Sequence, residues 1–335
     1  AEFLKPHYPR VRKAVAYIES IRDERRTPEY KDDASPKRAM YGLVPESISH
    51  EGYSAKPMHS YWDCFFVLLG LKEASYIAEQ MGDDAWAQAY AKLAAEFRMC
   101  LYDSMRRVFA RSNIDYIPGC VELADFDSTS TTIAFFPCDE QDHAPQQQLR
   151  NTFDRYWMFA KGRMNGEPWE AYTPYELRHV GAFVRLGQPE RAYELLNWFR
   201  QHQRPQGWHH WAEVVWNDPK TPKFIGDMPH TWVGSDYLNS VLSMFAYEHA
   251  GSIVCFAGVS QSWIDSGEPF GIRRMHTSHG TLTLSMQRIG ALITARAEGD
   301  IRVPEGGLVF RKPPRALGED NVVTTLPAEV SWKME

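Results

Sequence analysis

The sequence predicts a mainly α protein, an (α/α)6-type toroid of helical hairpins, followed by a small antiparallel β-sheet or sandwich. Three observations predict it. Up to about residue 250, apolar residues recur at helical spacing. Several successive helices meet at short polar breaks such as MGDDAW and LGQPER, as antiparallel hairpins require. Beyond that residue the text turns to short β-like runs broken by Gly, Pro and Asp. The expected division is a helical domain over 1–250 and a β domain over 251–335.

Eight helices are predicted, at roughly 9–26, 59–81, 83–111, 128–138, 144–160, 174–187, 188–202 and 229–249. The clearest stripe lies in DDAWAQAYAKLAAEFRMCLYDSMRR, where Trp86, Tyr90, Leu93, Ala94, Phe97 and Leu101 fall on one face. The remaining breaks, 27–57, 112–127, 161–173 and 203–228, are long and rich in Pro, Gly, aromatics and acids. Loops of that length inside a compact domain are commonly functional, and Trp-rich ones do not read as disorder. Short turns alternating with long aromatic loops place the function on one face of the toroid. In the last part, SIVCFAGV, TLTLSMQRI, ALITARAEG and DIRVPEGGLVF are the predicted strands, with a structural role.

A chain of 335 residues, 44% hydrophobic and 24% charged, can bury one large core or two moderate ones. Its net charge of −6 gives no general attraction to polyanions, so neither nucleic acid nor a membrane surface is expected as a partner. No apolar run is long enough for a membrane helix, and AEFLKPHYPR does not read as a secretory signal. Five scattered cysteines without CxxC spacing argue against zinc and fit a reduced compartment slightly better, with a cytoplasmic or a secreted address both open. No two histidines stand at a metal-binding spacing on one helix, and GxGxxG, P-loop and GxSxG motifs are lacking. Neither a metal nor a cofactor is expected.

The chemistry is expected from carboxylates set among aromatic rings. Glu213 lies in QGWHHWAEVVWNDP, where Trp208, His209, His210, Trp211 and Trp216 crowd one loop; a solubilising Glu needs no such company, and a partly dry carboxyl can serve as general acid or base. Thr173-Pro174-Tyr175-Glu176 reads as a capping box, which accounts for Glu176 but not for Trp169, Tyr172 and Tyr175 around it; Glu170 has no cap to serve. Asp127 and Asp227 precede helices as natural N-caps, and Asp125 stands beside the first of them with no cap to make. His230 and Trp232 follow Asp227 in GDMPHTWVGSDYL. The stretch HEGYSAKPMHSYWDCFF, with Glu51, Tyr53, His59, Tyr61, Trp62 and Asp63, is expected to wall a cleft. Rings that pack on sugar C–H faces and carboxylates that hold hydroxyls are the equipment of carbohydrate sites.

GLVPESISHEGYSAKPMHSYWDCFFVLLGLKEASYIAEQMG, VELADFDSTSTTIAFFP, WEAYTPYELRHVGAFVRLG and GWHHWAEVVWNDPKTPKFIGDMPHTWVGSDYL together resemble the six-hairpin (α/α)6 glycosidases, the superfamily of trehalases, glucoamylases and processing α-glucosidases. The resemblance covers about residues 8–310 and implies an inverting glycoside hydrolase acting on a poly- or oligosaccharide. Glu213 then resembles the general base. Glu51 is the first choice for the proton donor, with Asp63 and Glu46 as alternatives, at about 6.5–9.5 Å from the base. The resemblance also implies twelve helices where eight are read, so the N-terminal hairpins are expected to be missing, which leaves a C-terminal fragment, a reduced toroid, or a protomer completed or covered by a second copy of the chain. Two other classes stay open: a polysaccharide lyase with a base among Tyr53, Tyr61, His59 and His210, and a non-catalytic carbohydrate-binding protein.

Overall fold

The computed structural model describes residues 2–48 and 53–335. The chain forms two compact units, residues 1–156 and 157–335, with the boundary inside one helix. The change from helices to strands near residue 250 lies inside the second unit.

In the first unit the main helices are α1 (Tyr8–Asp23), α3 (Tyr61–Gln80) and α4 (Asp84–Ser112), with short α2 (Pro28–Lys31) and α5 (Ser128–Thr131) and the start of α6 (Gln146–Met164). Helices α3 and α4 form the expected hairpin. Gly82 turns the chain at φ 72°, a left-handed conformation that costs glycine little, and Asp83 caps α4 through the Trp86 amide at 3.5 Å. Tyr90, Ala94, Phe97 and Leu101 are buried as the stripe predicts, facing Phe65, Leu68 and Leu71 of α3 in the same core. Each such large apolar side chain contributes about 2 kcal/mol of burial. Trp86 is instead 39% exposed, beneath the guanidinium of Arg12 at 4.4 Å.

The helix expected over 128–138 shortens to α5 and a 3-10 turn at Thr132–Ala134. Ser and Thr fill this stretch, and Pro137 disfavours the helical region for the residue before it. Just beyond, Glu140 is fully buried and accepts from Arg98 at 2.7 Å through both oxygens and from Lys72 at 2.8 Å. Burial alone would raise its carboxyl, but the hydrogen bonds from Arg98 and Lys72 outweigh that and hold it below the usual glutamate value.

The second unit contains α7 (Arg178–Arg185), α8 (Pro189–Gln201) and α9 (Thr231–Phe245), with α7 packed on both others. The helix expected to run to 249 stops at 245. Ala246–His249 becomes strand β3 because it finds a partner, Ser252–Cys255 (β4), in antiparallel register. A four-stranded sheet has the order β10 (Asn321–Val323), β8 (Leu308–Phe310), β4, β3. A five-stranded antiparallel sheet has the order β5 (Phe270–Thr277), β6 (Gly280–Ile289), β7 (Leu292–Ile301), β11 (Ala328–Met334), β9 (Ala316–Leu317). Alternate residues of β6 and β7, Leu282, Leu284, Met286, Ile293, Ala295 and Ala297, share one core with Ile253, Cys255, Leu308 and Phe310 of the other sheet. One pairing departs from the antiparallel expectation: β4 and β8 run parallel. A further short helix, α10 (Gln261–Asp265), lies between β4 and β5.

Replacing Glu140 by Gln leaves two cations around a neutral amide in the core of the first unit. We expect a loss of about 3 kcal/mol, at the low end for a broken buried pair because Arg98 and Lys72 keep partial access to water. Urea unfolding of the variant against the parent measures it; a change below about 0.5 kcal/mol refutes it.

Candidate functional site

The expected residues fall into two loop systems, one in each unit. In the first unit residues 59–61 are bound by backbone to 119–121, and each of the two loops is also paired within itself. Ser47 pairs with Met58, Ser60 with Cys120 and Pro118 with Phe126, and the Tyr61 amide donates to the Gly119 carbonyl at 3.0 Å. Glu51 and His50 lie outside the described residues. Tyr61 is fully buried, its hydroxyl 2.8 Å from that of Ser104, and Trp62 is buried against Phe66 at 5.2 Å. Both therefore support the loop from beneath.

His59 is the centre of a charged cluster. Its backbone amide and Nδ1 both donate to the Glu122 carboxylate, at 3.0 and 2.6 Å, and its Nε2 lies 3.4 Å from Arg25 Nε and 3.5 Å from Glu46. Arg25 also pairs with Glu46. Burial would raise Glu46 and Glu122, but for Glu46 a backbone hydrogen bond and Arg25 outweigh it, and for Glu122 His59 does, so both carboxyls are held low. Asp63, in the first turn of α3, goes the other way: burial pushes its carboxyl up despite a hydrogen bond from Ser47. Tyr53 donates to both oxygens of Asp125, at 3.0 and 2.9 Å, and burial together with Cys120 and Asp125 pushes its phenol up. Gly119 permits that contact, since a Cβ there would collide with the Tyr53 hydroxyl. Asp127 is the N-cap of α5 as expected, accepting from the Ser130 amide at 3.0 Å.

In the second unit a strand pair, β1 (Ala171–Tyr172) with β2 (Val215–Trp216), frames the Glu213 loop. The Glu213 amide donates to Asp227 Oδ2 at 2.7 Å, and its carbonyl accepts from Thr173 Oγ1 at 3.2 Å. Asp227 Oδ1 takes His230 Nδ1 at 2.7 Å, and His230 Nε2 meets the Tyr175 hydroxyl at 2.9 Å. Both His230 contacts are satisfied when Nδ1 carries the proton. The Glu213 backbone is thus gripped from both sides. Its half-buried carboxylate makes no hydrogen bond or ion pair among the described residues.

Two expected caps are not made. Helix α9 begins at Thr231 with His230 in the N-cap position, so Asp227 serves the Glu213 loop instead. Thr173 makes no capping bond, and Glu176 is drawn away into a buried bidentate pair with Arg163, at 3.1 and 2.6 Å. A charge-assisted fork outweighs a neutral cap. Of the rings, Trp211 is buried against Tyr237 at 5.2 Å and Trp208 is 58% exposed. His210 Nδ1 accepts from the Trp211 amide at 2.9 Å. Trp232 packs on Tyr175 at 5.3 Å, and Arg178 lies over both while pairing with Asp236 at 2.8 Å. Trp169 meets Tyr172 and Trp198 edge-on, each at 5.7 Å, Tyr172 donates to the His202 carbonyl at 2.9 Å, and Glu170 is exposed. His209 and Phe224 hold left-handed backbone at φ 55° and 65°, a strain on the order of 1 kcal/mol each kept at this loop.

Sequence reading missed Arg25, Glu122, Arg163, Arg178 and Asp236. Only Glu122 carried a signal, its place in the loop with Asp125 and Asp127. Among the described residues no group of three or more His, Cys, Asp and Glu side chains is placed to hold a metal, and no helix is long and apolar enough to cross a membrane.

Buried His179, on α7, donates Nδ1–H to the Glu176 carbonyl at 3.0 Å, and burial lowers its pKa from 6.5 to about 3. The unfolded chain binds a proton there that the folded chain refuses. Its contribution is therefore complete above pH 6.5 and is lost as pH falls from 6.5 toward 3, by at most about 1.4 kcal/mol per pH unit. Urea midpoints at pH 7, 6 and 5 should fall in the parent and fall less steeply in His179→Gln; parallel slopes would refute the assignment. In sequence comparisons no family model matches the chain, and no curated protein matches it.

Proposed function

We propose that the protein is a glycoside hydrolase of the six-hairpin (α/α)6 type, cleaving glycosidic bonds of a poly- or oligosaccharide with inversion, and that Glu213 is its general base. One observation carries the reading. The carboxylates of Asp125, Asp127, Glu176 and Asp227 are committed to hydrogen bonds or ion pairs, whereas Glu213 has its backbone fixed and its half-buried carboxylate unengaged among the described residues; Glu170, also unengaged, is exposed. A base must be held still and still be able to receive a proton from water. The aromatic surroundings suit a sugar ring.

The proton donor must keep its proton near neutral pH. Glu46, held low beside Arg25, is poorly suited; Asp63, pushed up by burial, is suited in direction, and Glu51 remains the other candidate. The phenols that a lyase would use as base, Tyr53 and Tyr61, are both pushed up by burial, and Tyr53 is already donating to Asp125. That weighs against elimination by either phenol.

Glu213→Gln should lower turnover of gluco-, xylo- and aryl-glycosides by about 10²–10⁴-fold while shifting stability by less than about 0.5 kcal/mol, because its carboxylate holds nothing. Product assays with anomeric detection by NMR check both loss and inversion. Full activity in the variant removes Glu213 from the mechanism, and an unsaturated product would identify a lyase. Asp63→Asn and Glu51→Gln, compared on substrates with good and poor leaving groups, separate the two donors: the true one is nearly dispensable with an activated leaving group.

A further inference from the structure

The strand pair beside Glu213 carries a second feature. A pocket of about 340 Å³ has Phe159, Arg163, Glu167, Trp169, Glu170 and Trp216 in its lining. Its volume lies at the small end of ligand pockets and suits a single glycosyl ring. Its aromatic walls are set in place from behind. Trp169 is wedged edge-on among Tyr172, Trp198 and His202, and Trp216 is fixed by pairing with Ala171 and by Lys223 seated over its ring at 4.7 Å. Phe159 is 58% exposed, an apolar ring facing water.

The charge in the pocket has one sign. Arg163 is neutralised by its bidentate bonds to Glu176, at 3.1 and 2.6 Å, while the exposed Glu167 and Glu170 carboxylates make no hydrogen bond or ion pair among the described residues. Lys223, seated over the Trp216 ring, is not part of the lining. An acidic sugar entering here would meet two like charges, whereas a neutral or amino sugar would gain acceptors for its hydroxyl or ammonium hydrogens.

We propose that this pocket is a glycosyl-binding subsite that stacks a sugar ring without acidic substituents on Trp169 and Trp216, and that Glu167 and Glu170 exclude uronates from it. The proposal rests on the hydrolase reading for its place beside the reacting bond, but its test does not need turnover. Calorimetric binding is measured on the Glu213→Gln protein with neutral gluco-, manno- and xylo-hexasaccharides and with an oligogalacturonate of equal length. Added Trp216→Ala should weaken the best neutral ligand about tenfold. Added Glu167→Gln with Glu170→Gln should raise oligogalacturonate affinity several-fold relative to that of the best neutral ligand. Both are changes of exposed or half-buried side chains, so folding is not at stake.

Neutral binding indifferent to Trp216→Ala, oligogalacturonate affinity indifferent to the double glutamine variant, or no binding of any neutral hexasaccharide overturns the subsite, whatever the activity of the parent. Intact, Trp216-dependent binding in a parent that hydrolyses nothing overturns the hydrolase reading and leaves the subsite standing.

Discussion

The second unit's candidate site depends on one carboxylate, that of Asp227. Its two oxygens take separate donors, the Glu213 amide and His230 Nδ1, and so tie a long loop to the first residues of α9. Among the described residues neither donor has another partner, and the tie is extended through Tyr175 into the chain that leads to α7. Without it, the segment between α8 and α9 would be held mainly by the two-residue pairing of β1 and β2 and by burial of Trp211. Strained backbone at His209 and Phe224 persists only when surroundings over-determine it.

The chain uses its acids in two ways that are indistinguishable in one-letter code. Glu140, Glu176 and Glu122 are spent on architecture, each answering a cation or a histidine. Glu213 lies in a stretch of sequence rich in rings, and its carboxylate is answered by nothing among the described residues; this contrast carries the proposed function. Aromatic neighbours alone were a poor discriminator. Glu176 has Tyr175 and Tyr172 close by in sequence, yet its partner is Arg163, thirteen residues upstream on another helix.

Helix content and its order were readable because core burial imposes a period that survives translation into sequence: Tyr90, Ala94, Phe97 and Leu101 are buried as their spacing demands. What failed was local preference set against a distant partner. Ala246–His249 continues a helical pattern but pairs with Ser252–Cys255, and the Thr173 capping motif is undone by an arginine on α6. Strand β11 was missed because AEVSWKM alternates weakly and becomes a strand by lying between β7 and β9. The Glu213 loop was legible because five large rings in a short stretch are hard to explain as surface; the His59 cluster was not, because its members come from residues 25, 46, 59 and 122.

The parallel pairing of β4 with β8 bears on how the second unit is made. Between those two strands in sequence lie β5, β6 and β7, so most of the five-stranded sheet is looped out of the connection that closes the four-stranded one. Residues 308–334 then supply an interior strand to each sheet, β8 between β10 and β4, and β11 between β7 and β9. A nascent chain that has delivered its helices and three long strands to the cytosol or a translocon exit therefore still shows two unsatisfied sheet edges, on β4 and on β7. Such edges invite pairing with a neighbouring chain. For this protein the interval between synthesis of residue 301 and release of the end of β11 is the period in which a chaperone would matter most.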